Sequence, residues 1–240
     1  MADEGRRQAS RQDPPPVRKR VLYEDNHYIA VQKLVGELVQ GDTTGDTALV
    51  DSVREFIRVR DKKPGEAFLQ VVHRVDRPVG GVVLFAKTSK GLARANELFR
   101  EQRIARVYWA ISEEQPQELA ATLTHYLVRK AAQNKSYAYT RKRPEAKLST
   151  LSYEQVARSK NYALLEVRLH SGRHHQIRAQ LAAVGCMLRG DLKYGAKRSI
   201  PGGGIGLFAR SLEFDHPIRD EHVRIVAEPP ADPLWDLFPR

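Results

Sequence analysis

Leu69-Gln70-Val71-Val72-His73-Arg74-Val75-Asp76-Arg77-Pro78-Val79-Gly80-Gly81-Val82-Val83-Leu84-Phe85-Ala86 reads as two apolar strands, 69–72 and 82–86, flanking a polar turn. Val, Leu and Phe at its ends favour a pleated, buried surface, whereas one Pro and two Gly near its middle favour a turn. The turn carries one carboxylate, Asp76, between the guanidinium groups of Arg74 and Arg77. Arginine favours the ionised form of a neighbouring carboxylate, and its planar two-bond geometry fixes the orientation. On a Pro-Gly-Gly turn, where a bulky substrate can come close, Asp76 reads as a nucleophile or base. The residues from His73 to Gly80 read equally as a strand end whose aspartate is balanced by its neighbours, because structural ion pairs also surround carboxylates with arginine.

Working outward, Val21–Glu24 and Tyr28–Gln32 read as short strands turned at Asp25-Asn26. Thr47–Val59 has helical spacing through Leu49, Val53 and Ile57, and Ser89–Gln102 through Leu92, Ala95 and Phe99. Val107, Trp109 and Ile111 alternate as a strand does, placing Tyr108 on the opposite face. Leu148–Ala157 and Tyr162–His170 read as a long hairpin around Ser159-Lys160-Asn161, His175–Val184 as a helix closed by Gly185, and Gly195–Gly206 as a Gly-rich loop. Strands outnumber helices and come in adjacent pairs, so the fold class is α+β with a mixed, largely antiparallel sheet. Residues 1–18, with Pro14-Pro15-Pro16, read as a disordered tail, leaving 19–240 as one domain.

The chain has 240 residues, enough for a substantial core. No apolar run approaches a membrane span, and the first seven residues lack the apolar stretch of a secretory signal. Cys186 is the single cysteine, which rules out an internal disulfide, suits a cytoplasmic protein and reads as a small packed side chain. The formal net charge is +11. A polyanion is the natural partner, with nucleic acid ahead of a membrane because no basic amphipathic helix stands out. The charge is concentrated. Residues 125–150 contain seven basic residues, Glu145 as the one acid, and Tyr126, Tyr137 and Tyr139; residues 168–198 contain seven more against Asp191. Basic groups reach phosphates and aromatic rings stack on bases, a mixture that favours RNA or single-stranded regions.

His73-Arg74-Val75-Asp76-Arg77-Pro78, with Gly80-Gly81 and Leu84-Phe85-Ala86-Lys87 after it, resembles the catalytic signature of the RluA-type RNA pseudouridine synthases. Further blocks are similar to that family in the same order: Arg106-Val107-Tyr108, Ser171-Gly172-Arg173-His174-His175-Gln176-Ile177-Arg178, the Gly190-Asp191 and Tyr194-Gly195 pairs, and Leu207-Phe208-Ala209 with Leu212-Glu213-Phe214-Asp215-His216-Pro217. Together they span residues 21–230, and chance explains their order poorly. The resemblance implies the pseudouridine synthase fold with flanking helices and a central active-site cleft, and an isomerase that detaches uracil, turns it and rejoins it through carbon. Such a reaction calls for no metal and no cofactor. By the same resemblance Asp76 is the catalytic carboxylate, attacking ribose or base or assisting glycal formation. Arg178 is its ion-pair partner, and Tyr108 stacks on the base and is tied to removal of the C5 proton. Arg74 enters the RNA when the uridine is flipped out, Leu207 lines the pocket, and Arg77, Arg106, Arg173, His175 and Gln176 complete the substrate-binding set.

Alternatives stand beside these roles. Arg74 also reads as a phosphate contact or an internal ion-pair partner, Leu207 as core, and His175 and Gln176 as hydrogen-bonding supports of the Arg178 turn. His170 and His174 are four apart without a carboxylate, a poor zinc pattern, and Gly202-Gly203-Gly204-Ile205-Gly206 has no Lys-Ser or Lys-Thr after it to make a phosphate loop. The chain departs from the family at Lys33-Leu34-Val35-Gly36, where Lys-Pro-x-Gly is usual, at Val79, where Thr or Ser is commoner, and at Gln180, where His often stands. These departures bear on substrate choice and packing. Residues 1–20 are too few for a separate RNA-binding module, so ribosomal or transfer RNA would be recognised by the catalytic domain, acting as a monomer without an obligatory protein partner. A non-catalytic RNA-binding or RNA-chaperone protein on the same fold is the competing reading; a carboxylate in a cleft meant for phosphates argues against it.

Overall fold

A computed structural model of the chain describes residues 15–239. The tail expected over residues 1–18 lies largely outside them; within them, Val17–Lys19 forms a 3-10 turn and Val17 packs against the core. Eleven strands form one sheet: β1 Val21–Glu24, β2 Tyr28–Lys33, β3 Gln70–Val71, β4 Gly80–Ala86, β5 Ala105–Ser112, β6 Ala120–Lys130, β7 Lys135–Tyr139, β8 Lys147–Arg158, β9 Ala163–Leu169, β10 Leu207–Asp215 and β11 His222–Val226. Their order is β1-β2-β4-β10-β5-β9-β8-β6-β7, with β3 added to β4 and β11 to β10. β4 and β10 run parallel and the other pairs are antiparallel, so the sheet is mixed and largely antiparallel as the sequence predicts.

Alternation along β2 and β4 builds two cores. Ile29, Val31, Val83 and Phe85 face one side with helix α1 (Leu49–Arg60) and helix α3 (Gln176–Ala183), whereas Tyr28, Ala30, Val82 and Leu84 face the other with helix α2 (Ser89–Arg100). Every residue of β4 is buried, consistent with a strand covered on both faces. Thr88 caps α2 by accepting a hydrogen bond from Gly91 N, and Gly185, with φ +82°, closes α3 through a Cys186 N to Leu181 O bond. Gly81 has φ +118°, and a Cβ there would lie 2.2 Å from the Ala209 carbonyl oxygen, so glycine is what lets β4 and β10 approach. At the sheet's far side, buried His216 brings Nε2 to within 2.8 Å of Asp25 Oδ2 and ties the last motif to the first turn.

The observed elements differ from the expected ones mainly at β6 and β7, between residues 113 and 147, and at β10 and β11, where residues 207–226 carried no strand expectation. β6 and β7 are polar strands at the sheet edge, with burial confined to a few positions such as His125, Leu127 and Ser136. Ala121, Leu123, His125 and Leu127 turn inward, but a histidine among them and Tyr126 and Val128 on the opposite face blur the period-2 pattern that marks a strand. Among the described residues no helix is long and apolar enough to cross a membrane.

Candidate active site

The Asp76 turn leaves β3 and re-enters the sheet at β4. Val79 N donates to the Asp76 carbonyl at 3.0 Å and closes the turn. Beneath it lies Lys33, the last residue of β2 and fully buried. Its Nζ donates to the carbonyls of Leu34, Asp76, Arg77 and Val79 at 3.1, 3.2, 3.1 and 2.6 Å. Burial lowers its pKa to about 8, against the pull of Glu37 and Asp76. The Lys33 departure therefore concerns only the residues after it; the lysine itself anchors the turn.

Neither arginine adjoining Asp76 in sequence pairs with it. Arg77 is turned outward, where Nη2 meets Asp46 Oδ2 at 2.6 Å and Nε donates to the Gly36 carbonyl. Arg74 is exposed at the cleft wall and has no side-chain partner among the described residues. The expected bracket of two guanidinium groups is thus corrected: Arg77, next to Asp76 in an extended turn, diverges from it, Arg74 stays in the open cleft, and the partner arrives from elsewhere.

That partner is Arg178 on α3. Its Nη1 donates to Asp76 Oδ2 at 3.1 Å, while Nε and Nη2 donate to Asp191 Oδ2 and Oδ1 at 2.7 and 2.8 Å. The Asp191 side chain is 1% exposed and that of Arg178 6%. Burial works against the Arg178 charge, but the hydrogen bonds and charge of Asp191 outweigh it, and its pKa lies above the ordinary value. His175 precedes α3 in the left-handed region, φ +52°, which turns its imidazole back toward the aspartate: Nε2 is 3.5 Å from Asp76 Oδ2 and Nδ1 is 3.0 Å from Tyr194 Oη. Burial, then the Arg178 charge, hold His175 down to about 2, so it is a neutral imidazole.

Tyr108 on β5, Leu207 at the start of β10, Asp76 and Arg178 line one cleft of about 950 Å³. Burial pushes the Tyr108 phenol up to about 12, with Asp76 adding to the shift, so it is protonated at neutral pH. Arg106, Arg129, Arg173 and Lys193 lie on the same walls and give the cleft a basic rim. Gln176 acts inwardly: Oε1 accepts from Arg173 N and Ser171 Oγ, and Nε2 donates to the Thr150 carbonyl. It shapes the loop that carries Arg173. His170 and His174 bond separately, to Ser152 and to Ser136 with Asn134. A second cavity, about 640 Å³, lies against apolar Leu34, Ile200, Phe208 and Leu234, and none of Asp76, Tyr108 or Arg178 lines it.

Residues 27–183 match the family model described as RNA pseudouridylate synthase. The chain belongs to the RNA pseudouridylate synthase family. Among curated relatives of this family, a ribosomal large subunit pseudouridine synthase C of Vibrio parahaemolyticus is 27% identical over 213 residues, 86% of this chain and 64% of its own length. A ribosomal large subunit pseudouridine synthase D of Zymomonas mobilis is 28% identical over 230 residues, 92% of this chain and 72% of its own length. The chain thus spans just under two thirds of the first relative's length. The solved structure of human RNA pseudouridylate synthase domain containing 4 shares the fold, with a TM-score of 0.76 at 22% identity over 92% of both chains.

Three contributors to this site carried no role in the sequence. Asp191 and Tyr194 were visible in motif pairs, and Lys33 at the head of the Lys33-Leu34-Val35-Gly36 block, but which groups they touch depends on tertiary contact. The second basic segment also changes meaning: Arg178 is buried in its ion pairs, Arg189 is bound to Glu113 and Arg168 to Glu166. The first segment keeps its charge free. Among the described residues Arg129, Lys130, Lys135, Arg141, Lys142, Arg143 and Lys147 form no salt bridge, and Arg143 stacks over Tyr139 at 4.2 Å.

Proposed function

We propose that this protein is an RNA pseudouridine synthase with Asp76 as its catalytic carboxylate. The observation that carries the reading is the meeting of Asp76, Arg178 and Tyr108 in one basic-rimmed cleft. A uridine flipped out of its helix enters that cleft, stacks on the neutral Tyr108 phenol and rests against Leu207, with Arg74 filling the space it leaves in the RNA. Asp76 then attacks the ribose or the base, or assists glycal formation, while Arg178 holds its carboxylate in place. The N1–C1′ bond breaks, uracil turns within the pocket and rejoins through C5, the C5 proton passes to solvent and N1 gains one, so the composition is unchanged overall.

Arg178 lies between two carboxylates, so the floor is net acidic, and the surrounding Arg74, Arg106, Arg173 and Lys193 offset this toward RNA. The arm formed by β6 and β7 supplies further phosphate and stacking contacts. The names of the relatives make large-subunit ribosomal RNA the first substrate to test, with transfer RNA second. That Asp76, Tyr108 and Arg178 all come from one chain supports a monomer, and a ribosomal or transfer RNA substrate supports the cytoplasm.

The test is tritium release from ribosomal and transfer RNA labelled at uracil C5, taken from cells lacking the gene. Wild-type protein should release tritium, and Asp76→Ala should bind the RNA and release none. Tight binding by both proteins with release from neither would overturn the enzyme reading and favour a non-catalytic RNA-binding protein.

A further inference from the structure

Arg106 is an arginine without an anion. Its Nε is buried and bonded to nothing, and no carboxylate, carbonyl or hydroxyl accepts from its other nitrogens among the described residues. Burial lowers its pKa, with Tyr108 working the other way. The groups packed beside it bring no negative charge. The guanidinium lies 5.7 Å from the Phe99 ring centre, and Phe99 stacks on His73 at 5.3 Å. His73 accepts a hydrogen bond from Leu84 N through Nε2, and burial, then the Arg106 charge, hold it down to about 3, so it too is neutral. Gly172 leaves the guanidinium room: a Cβ there would lie 2.6 Å from Arg106 Nη1.

A half-buried cation with spare donors, in a cleft wall and without a counter-charge, calls for an anionic ligand. A neutral uracil carbonyl would satisfy a hydrogen bond and leave the charge uncompensated. Arg106 lies two residues along β5 from Tyr108, about 6–7 Å, a spacing on the scale of one nucleotide. We infer that Arg106, with the space left by Gly172, is a phosphodiester subsite that holds the RNA backbone next to the nucleotide stacked on Tyr108. This rests on the RNA-modifying reading above and gives that cleft a specific backbone contact.

The test uses the full chain and decauridylate, with binding followed by fluorescence anisotropy between about 50 and 200 mM KCl. Arg106→Met should weaken binding about tenfold and reduce the slope of log Kd against log salt by about 0.7, the value for one lost single-strand phosphate contact. Gly172→Ala should act in the same direction by displacing a flexible side chain, with the thermal midpoint unchanged. Arg94→Met removes an equal charge from exposed helix α2 and should leave the slope as it is. A slope unchanged in Arg106→Met, or reduced equally in Arg94→Met, would overturn the subsite, as would a wild type that does not bind decauridylate at all. Inorganic phosphate at constant ionic strength should leave Kd within about twofold; strong competition would mark a free-phosphate site and overturn the backbone assignment. A reduced slope in Arg106→Met with no tritium release from labelled RNA by wild type would leave the subsite standing while the isomerase reading fell. Release with unchanged slopes would sink the subsite alone.

Discussion

Arg178 gives Asp76 one of its nitrogens, Nη1 at 3.1 Å, and keeps the other two in a tighter grip on Asp191 at 2.7 and 2.8 Å. The guanidinium is therefore fixed by a buried carboxylate that does not line the cleft, and the aspartate facing the cleft is held from one side only. Asp76 is 30% exposed at its side chain against 1% for Asp191, so of the two carboxylates it is Asp76 that is open to the cleft.

Removing the anchor should be costly. Asp191→Ala leaves the buried Arg178 charge with a single, looser partner, a loss of about 3–5 kcal/mol for a broken buried pair. Urea denaturation should show this destabilisation, and tritium release by the protein that remains folded should fall in kcat with KM nearly unchanged, because Arg178 no longer fixes the Asp76 carboxylate. A variant of wild-type stability and turnover would show that Asp191 anchors nothing.

Lys33 is the second support. Replacing it by Met withdraws an ammonium whose three N–H groups serve four turn carbonyls, while filling similar space. Some of those carbonyls keep another donor, such as Val79 N on Asp76 and Gly36 N on Arg77, so the expected loss is about 2–4 kcal/mol. The thermal midpoint is the readout; a midpoint equal to wild type would mean that the turn is held by its backbone bonds alone.

At Gly81, alanine would meet the Ala209 backbone at 2.2 Å in a conformation that L residues rarely adopt. Backbone cannot yield as a side-chain tip can, so the β4–β10 pair must separate. We expect Gly81→Ala to cost more than about 3 kcal/mol and to accumulate insoluble protein on expression. Gly202→Ala, also at positive φ but with nothing near its Cβ, should strain only its own backbone and cost about 1 kcal/mol. Equal solubility and midpoints for the two variants would contradict the close-approach account.

Acid sensitivity follows from the buried imidazoles. His73 and His175 have folded pKa values depressed to about 3 and 2 from 6.5. Below 6.5 the unfolded chain binds protons that the folded chain refuses, so the stabilisation is complete above that pH and is lost as pH falls from 6.5 toward 3. The thermal midpoint should fall between pH 7 and 5. His73→Gln, which keeps an acceptor for Leu84 N and does not titrate, should show a shallower fall. An identical pH profile for the variant would remove His73 from the explanation.

Much of the site could be read from residues because its motifs are local. Asp76 on its turn, Tyr108 on an alternating strand and Arg178 on a short helix each follow from neighbours in the chain, as does Gly185 closing α3. Arg77 shows the limit. Adjacency to Asp76 suggested a charge partner, yet its guanidinium goes to Asp46, 31 residues away. Basic residues likewise look alike in sequence whether they face RNA or a buried acid. Among the described residues the run at 129–147 forms no salt bridge, whereas Arg178, Arg189 and Arg168 are bound to acids.

By itself, the sequence determined the strand and helix periods of most elements and the mixed sheet, because apolar spacing and turn chemistry act over a few residues, and motif resemblance pointed to Asp76, Tyr108 and Arg178. Only the tertiary structure decided who holds whom: Arg178 reaches Asp76 across 102 positions, and Lys33 reaches the turn's carbonyls across 43 to 46. Hydrogen bonds and ion pairs act over about 3 Å, and the proximity they need is created when the sheet brings β2, β4, β10 and β5 side by side and α3 packs against β6 and β7.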